Sequence, residues 1–378
     1  MNPAFWKNRR VFLTGHTGFK GSWLSLWLQM LEAEVTGFAL APPTEPSLFV
    51  SADVASGVNS ILGDILDYDH LRRTAADAQP EIVFHLAAQP LVRESYRTPV
   101  ETFATNVMGT VHLLESLRDL ESVRAIVVVT TDKCYENREW AWGYRENEPL
   151  GGHDPYSASK GCAELATAAY RRSFFATSET PVGIATARAG NVIGGGDFAA
   201  DRIVPDAIRA FSQGKTLEVR NPSAIRPWQH VLDPLAGYLL LAESLHADAG
   251  KWSGAWNFGP DDSSIVTVGQ VADELCLLWP GAAWSNVAQP NAPHEAHFLK
   301  LDCSKARQQL NWKPQLDLGA ALRLTADWHR EAERCPTDHL ALKRFTQQQI
   351  CHYSPVTQLD SPDARYVADL PRLSRPAC

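Results

Sequence analysis

An α/β fold, built as a doubly wound parallel sheet with a smaller C-terminal α/β lobe, is predicted by three features of the chain. A glycine triplet, Gly15-x-x-Gly18-x-x-Gly21, joins the short apolar run Val11–Leu13 to a stretch in which Trp23, Leu24, Trp27, Leu28 and Leu31 recur at helical spacing. Two later runs, Ile82–Leu86 and Ile126–Val129, are apolar without interruption, the pattern of strands buried on both faces. Helical stretches lie between these runs, and strands that alternate with helices pair in parallel. The expected architecture is Rossmann-like.

The elements follow in order. Val35–Leu40 reads as the second strand, and Leu66–Ala78 and Val100–Leu120 as helices. Val182–Arg188 reads as a further strand of the same sheet. Beyond Gly190 the texture turns to Gly- and Pro-rich segments with scattered Trp, Arg and Asn. The division is therefore 1–189 for the first domain, 190–330 for a smaller lobe, and 331–378 for a C-terminal extension. Such lobes often lend a strand or helix back to the first domain. Residues 354–378 are polar and Pro-containing and are expected to form a mobile tail.

At 378 residues the chain can bury a large core. Its net charge of −8 argues against nucleic acid as the main partner, because phosphate backbones demand excess Lys and Arg. Cys134, Cys162, Cys276, Cys303, Cys335, Cys351 and Cys378 form no CxxC pair, which excludes a recognisable zinc framework and suits a reducing cytoplasm. Met1–Arg10 carries no apolar signal core, and no apolar run is long enough for a bilayer. No membrane partner and no metal are expected, and the location expected is cytoplasmic.

The glycine triplet lies where a dinucleotide loop must lie. Glycines there let backbone approach a pyrophosphate, and the helix start offers N–H groups and a partial positive charge. Gly15, His16, Thr17, Gly18, Phe19 and Gly21 are the candidate cofactor residues of this loop. The second strand ends Gly37-Phe38-Ala39-Leu40-Ala41, with neither the carboxylate that holds a ribose nor an arginine for a 2′-phosphate. NAD is therefore favoured over NADP. Asp64, followed by Ile65, is placed to meet the adenine edge or to cap the next helix. Ala87, Ala88 and Gln89 follow a buried strand, where small residues let a dinucleotide lie flat or simply pack a turn. Asn106 braces either a strand or the active-site lysine, and Thr130 completes the cofactor side.

Tyr156 and Lys160 are four apart and share one helix face. A phenol acts as a base once its pKa falls, which a neighbouring ammonium and a positive nicotinamide ring would bring about. Thr131, Asp132 and Lys133 follow a buried strand at its carboxyl end, where ligands bind in open parallel sheets. Thr131 can hydrogen-bond a hydroxyl under oxidation, with Asp132 and Lys133 as an acid and a base around one bond.

These motifs resemble the extended short-chain dehydrogenase/reductase family, in its sugar-nucleotide 4,6-dehydratase branch, over roughly residues 8–330. Within that branch the loop Thr14–Leu24, the run Asp132-Lys133-Cys134-Tyr135, the segment Gly190–Asp197 and Arg226-Pro227-Trp228-Gln229-His230 are similar to the CDP-glucose 4,6-dehydratases. Lys133 stands where most other members carry glutamate. His16 replaces a small residue, and a bulkier side chain beside the pyrophosphate would loosen the cofactor. The resemblance implies a lyase: NAD takes the C4 hydride, Tyr156 the C4 hydroxyl proton, and water leaves across C5 and C6 before the hydride returns to C6. CDP-glucose is the implied substrate and deoxysugar synthesis for surface polysaccharide the implied pathway.

A nucleotide diphosphate needs arginines, and Arg202 and Arg226 are the candidates. Asn191, Asn257 and His294 resemble substrate-contacting positions of the family. The helices 100–120 and 156–176 carry apolar residues on more than one face, and the family's four-helix contact implies a homodimer. Leu113, Leu117, Leu165 and Ala169 serve it or pack within one chain. The competing readings are a dehydratase or 4-epimerase for a dTDP-, GDP- or UDP-sugar, and a non-catalytic NAD-binding regulator. An epimerase has no use for the Asp132-Lys133 pair.

Overall fold

The computed structural model describes residues 1–177, 181–288 and 298–354. The main sheet holds seven strands: β1 (Arg10–Thr14), β2 (Glu34–Ala39), β3 (Asn59–Leu62), β4 (Ile82–His85), β5 (Ala125–Val129), β6 (Gly183–Ala189) and, far along the chain, β10 (Gly254–Phe258). They run in the order β3-β2-β1-β4-β5-β6-β10, every pair parallel. Strands β4, β5 and β6 are buried at every residue, which is why their sequences carry no alternation. The edge strand β3, short and partly exposed, gives no comparable signal and was not expected.

Helices cover both faces of the sheet. Phe19–Met30 and Leu232–Ala247 lie on one side, in a core that contains Trp23, Trp27 and Leu235; Tyr68–Ala78 and Gly109–Leu117 lie on the other with Leu71, Leu113 and Leu117. The expected helix 100–120 is interrupted, as Pro99–Phe103, one π turn (Ala104–Met108) and Gly109–Leu117. Leu113 and Leu117 are wholly buried under the sheet, so they pack within the chain and do not reach a partner.

The smaller elements sit at the carboxyl ends of the main strands. Strands β7 (Asn191–Ile193), β9 (Ile225–His230) and β11 (Ile265–Thr267) form one small sheet, and β8 (Leu217–Val219) pairs with β12 (Trp284–Asn286). Between these and the main sheet the chain crosses back once to lay β10 beside β6. The helix His339–Tyr353 ties the extension down: Trp328 Nε1 donates to Thr346 at 2.8 Å and Tyr353 OH to the buried Asp233 at 2.9 Å. The tail expected to be mobile lies outside the described residues from 355 onward. No described helix is long and apolar enough to cross a membrane.

Candidate active site

The strand ends and the smaller elements enclose a cavity of about 1370 Å³. At one end is the glycine loop. Gly15 has φ +77°, and a Cβ there would lie 2.7 Å from the Ala87 nitrogen; one on Gly21 would lie 2.1 Å from the Gly15 oxygen. Only glycine fits either place. No side chain caps the helix that starts at Phe19, so its first turn is left to a ligand. Ala39, Leu40, Ala41, Asp64 and Ile65 line the same end, and the cradle fits a dinucleotide. Asp64 also serves its local role, with Oδ1 accepting from Leu66 N at 2.9 Å.

His16 does not stand in this cradle. Its ring is buried against Gly37, where a Cβ would approach it to 2.4 Å, and its Nε2 pairs with Ser60 Oγ at 2.7 Å. Burial lowers its pKa to about 4, so the ring is neutral at physiological pH. The pyrophosphate side of the loop is therefore unobstructed, contrary to the expectation of a bulky neighbour. Gln89 and Asn106 also turn away from the cavity. Asn106 accepts from Gln89 N at 2.9 Å and donates to Gln89 O and, at 2.8 Å, to Ser159 Oγ. Gln89 closes its own turn onto Leu91 and Thr102. Together they brace the loop after β4 against the helix Pro155–Tyr170. Thr130 borders the cavity but gives its hydroxyl to Glu164.

Thr131 caps a single 3-10 turn, Asp132–Cys134, after β5, and Thr131, Asp132 and Lys133 all line the cavity with Tyr156 and Lys160. Asp154 caps the helix of Tyr156, accepting from Ser157 N at 2.9 Å, and so sets the angle at which that residue enters. Thr131 Oγ1 donates to Asp132 Oδ1 at 3.1 Å, and Asp132 Oδ2 is buried without a partner. Lys160 Nζ donates to the Val129 carbonyl at 3.2 Å, and burial lowers its pKa to about 8. The Tyr156 phenol is pushed up to about 12, chiefly by burial; Thr131 and the Arg202 charge oppose the rise. In this state burial outweighs the depression expected from a neighbouring ammonium.

One residue at the centre was overlooked. Lys20, in the first turn after the glycine loop, reaches into the cavity, and its pKa falls to about 7 through burial and the charges of Arg202 and Lys160, against Asp132 and Asp197. A signal for it existed, since a cation at a helix start opposes the dipole and asks for a reason.

Arg202, Arg226 and Asn191 also line the cavity, with the Arg202 charge felt at Tyr156 and Lys20. Arg202 pairs with Asp197 at 2.8 Å, and Asn191 Oδ1 is buried with no partner. Asn257 is different. It is fully buried, accepts from Tyr135 OH at 2.7 Å and donates to the Tyr144 and Asp302 carbonyls, so it has nothing left to offer a substrate. His294 lies outside the described residues. Among the described residues no cluster of His, Cys, Asp and Glu could hold a metal ion.

Residues 11–259 match the model of the NAD dependent epimerase/dehydratase family. The chain belongs to that family. This epimerase/dehydratase chain is 54% identical to the CDP-glucose 4,6-dehydratase of Salmonella typhimurium over 87% of its own length and 93% of that protein. It is 28% identical to the dTDP-glucose 4,6-dehydratase of Streptomyces antibioticus, over 85% and 92%. Among solved structures it resembles an epimerase from Methanothermobacter thermautotrophicus, with a TM-score of 0.75 and 23% identity over 88% of this chain and 95% of that one. The NAD complex of the Bacillus anthracis dTDP-glucose 4,6-dehydratase gives a TM-score of 0.70 and 20% identity over 86% and 98%. At those identities the likeness is one of fold.

Proposed function

We propose that this chain is a CDP-glucose 4,6-dehydratase, a lyase that converts CDP-D-glucose to CDP-4-dehydro-6-deoxy-D-glucose and water. The observation that carries the reading is Asp132, whose partnerless buried oxygen shares one cavity with Tyr156 and a dinucleotide loop. A redox tyrosine suffices for epimerisation, whereas an acid beside it is needed to expel a hydroxyl. The identity to the Salmonella enzyme supports CDP-glucose as the substrate.

NAD, when bound, supplies the acceptor for the C4 hydride and returns that hydride to C6. Tyr156 takes the proton of the C4 hydroxyl, which Thr131 orients. The C4 ketone then makes the C5 proton acidic. Lys133 is the C5 base, and Asp132 protonates the C6 oxygen as water leaves. Lys160 holds a positive charge near the redox centre. Arg202 and Arg226 face the diphosphate, with Asn191 beside the hexose.

The reading extends to a homodimer in the cytoplasm, with a product that feeds deoxysugar synthesis for surface polysaccharide such as O-antigen. An apolar surface supports the dimer: Val100 is 75% exposed and Leu165 60%, with Phe103, Met108 and Ala169 nearby on the same two helical segments. Sedimentation at micromolar concentration should give twice the chain mass, and a monomer would remove this part of the proposal.

Mass spectrometry of CDP-, dTDP-, GDP- and UDP-glucose after incubation with the protein and NAD tests the activity. Loss of one water from CDP-glucose alone is expected. Loss from another donor would overturn the substrate, and no loss from any would overturn the dehydratase.

A further inference from the structure

Three charged residues from separate parts of the fold meet on the wall of the cavity. Arg93 stands on the helix Val92–Arg97, beyond the loop that follows β4. Arg220 follows directly on β8, and Asp201 lies in the turn between β7 and the helix Ile203–Ser212. All three line the cavity. Arg220 Nη1 donates to Asp201 Oδ1 at 2.5 Å, and Arg93 Nη1 lies 3.6 Å from the same oxygen. Neither arginine has another ion-pair partner among the described residues; Glu94, next to Arg93 in the chain, pairs with Arg97 at 3.1 Å.

Stability is a poor reason for this cluster. The side chains of Arg93 and Asp201 are each 31% exposed and that of Arg220 41%, and ion pairs so open to water contribute about 1 kcal/mol or less. The cluster is also lopsided. Two guanidiniums, each a fork of N–H donors, converge on one carboxylate oxygen. A diphosphate is the better match, since it is doubly charged and offers several oxygens in the geometry that an arginine fork takes. The other two arginines of the cavity are less free to answer it. Arg202 is held by the buried Asp197 at 2.8 Å, and Arg226 gives Nη1 to the Ile225 carbonyl. Asp201 has φ +62°, a conformation that Asp tolerates, in a turn outside any helix or strand. Its carboxylate can therefore withdraw without loss of an element.

We propose that Arg93 and Arg220 are a second phosphate-binding pair of the sugar-nucleotide site, and that Asp201 competes for them with the diphosphate. On binding, the two arginines exchange one shared carboxylate oxygen for phosphate oxygens, and the charge of Asp201 turns to solvent. No covalent bond changes. The exchange also selects: a free sugar or a nucleoside without phosphate brings no anion to displace Asp201 and gains nothing from the pair. The inference rests on the sugar-nucleotide reading above.

Calorimetric titration of the NAD-loaded protein with CDP, which carries the diphosphate but has no sugar to dehydrate, tests it. Arg93→Met and Arg220→Met should each weaken CDP on the order of tenfold, the worth of a charge-assisted hydrogen bond. Arg220→Lys, which keeps the charge and loses the fork, should fall between parent and Met. Asp201→Asn should tighten CDP about threefold, and that gain should vanish once both arginines are also Met. A carboxylate that only held the arginines in place would give the opposite sign. Unchanged affinity in both Met variants, or binding no tighter in Asp201→Asn, would overturn the proposal. Should a Met variant fold poorly, Arg220→Lys and Asp201→Asn decide by the same signs. A parent protein that took UDP, dTDP or GDP in place of CDP would overturn the CDP reading, and the variants with that diphosphate would decide the pair. Binding of none of the four would overturn both.

Discussion

Two polar clusters lie one helical turn apart on the helix Pro155–Tyr170, and they are built on opposite terms. Around Glu164 every group is answered. Arg188 meets it with Nε at 2.9 Å and Nη2 at 2.8 Å, Thr130 and Thr186 donate to the same carboxylate, and Arg188 Nη1 continues to Tyr135 OH at 2.6 Å and on to Asn257. Around Tyr156 and Lys160 the groups are left short: Asp132 Oδ2 and Asn191 Oδ1 are buried without partners, and Lys20 and Lys160 are cations held at lowered pKa. The first cluster joins the ends of β5, β6 and β10 and gives the second a rigid floor. A saturated network holds shape, and an unsaturated one waits for a ligand.

The sharpest test of this contrast is on activity. Tyr156→Phe and Asp132→Asn should each lower kcat on the order of 10²–10⁴-fold while the urea midpoint stays near that of the parent. A matching loss of stability would move these residues to the structural side. Next, Arg188→Met should cost about 3–5 kcal/mol in urea unfolding, because Glu164 is left as a buried unpaired charge. Arg202→Met, which breaks the pair between a one-third-exposed Arg202 and the buried Asp197, should cost less, about 1–3 kcal/mol, yet weaken sugar-nucleotide binding. Equal costs for the two arginines would dissolve the distinction.

A smaller effect is expected at Lys20. Above about pH 7 it loses its proton, and with it one positive charge that faces an anionic substrate. The pH profile of kcat/KM should fall through an inflection near 7 that Lys20→Met lacks. The smallest effect lies outside both clusters, at Asp233. Burial raises its carboxyl to about 7, although Gln315 N and Tyr353 OH hydrogen-bond it. The folded chain therefore holds a proton there between about pH 4 and 7 that the unfolded chain has released. Its contribution to stability is complete below about pH 4 and fades as pH rises through 7. Asp233→Asn, which keeps an acceptor, should flatten that decline in a series of melting temperatures.

The fold was legible because its signals are local. The loop at Gly15, the unbroken apolar runs of β4 and β5, and the Tyr156/Lys160 spacing each state their role within a few residues. Gln89 and Asn106 take the turn-closing and bracing roles that stood as alternatives for them, and Asn257 was misread for the opposite reason. An amide at a strand end looks the same whether it faces a ligand or a carbonyl from a distant segment, and the partners of Asn257 are contributed by residues 135, 144 and 302. His16 was placed beside the phosphate because a turn's direction depends on what lies across from it. Gly37 and Ser60 open that space, and neither adjoins it in sequence.

The late return of β10 has a consequence for biosynthesis. As the chain leaves the ribosome, β6 has its β5 neighbour but no partner on its other edge until residue 258 has emerged, some 70 residues later. For that interval an unpaired, fully buried type of strand is open to pairing with other nascent chains. Fragments that stop near residue 250 should therefore be recovered as aggregates, while fragments that include β10 should remain dispersed. The first half of the molecule is thus not a module that matures ahead of the second, and the dinucleotide cradle and the lobe above it are finished together.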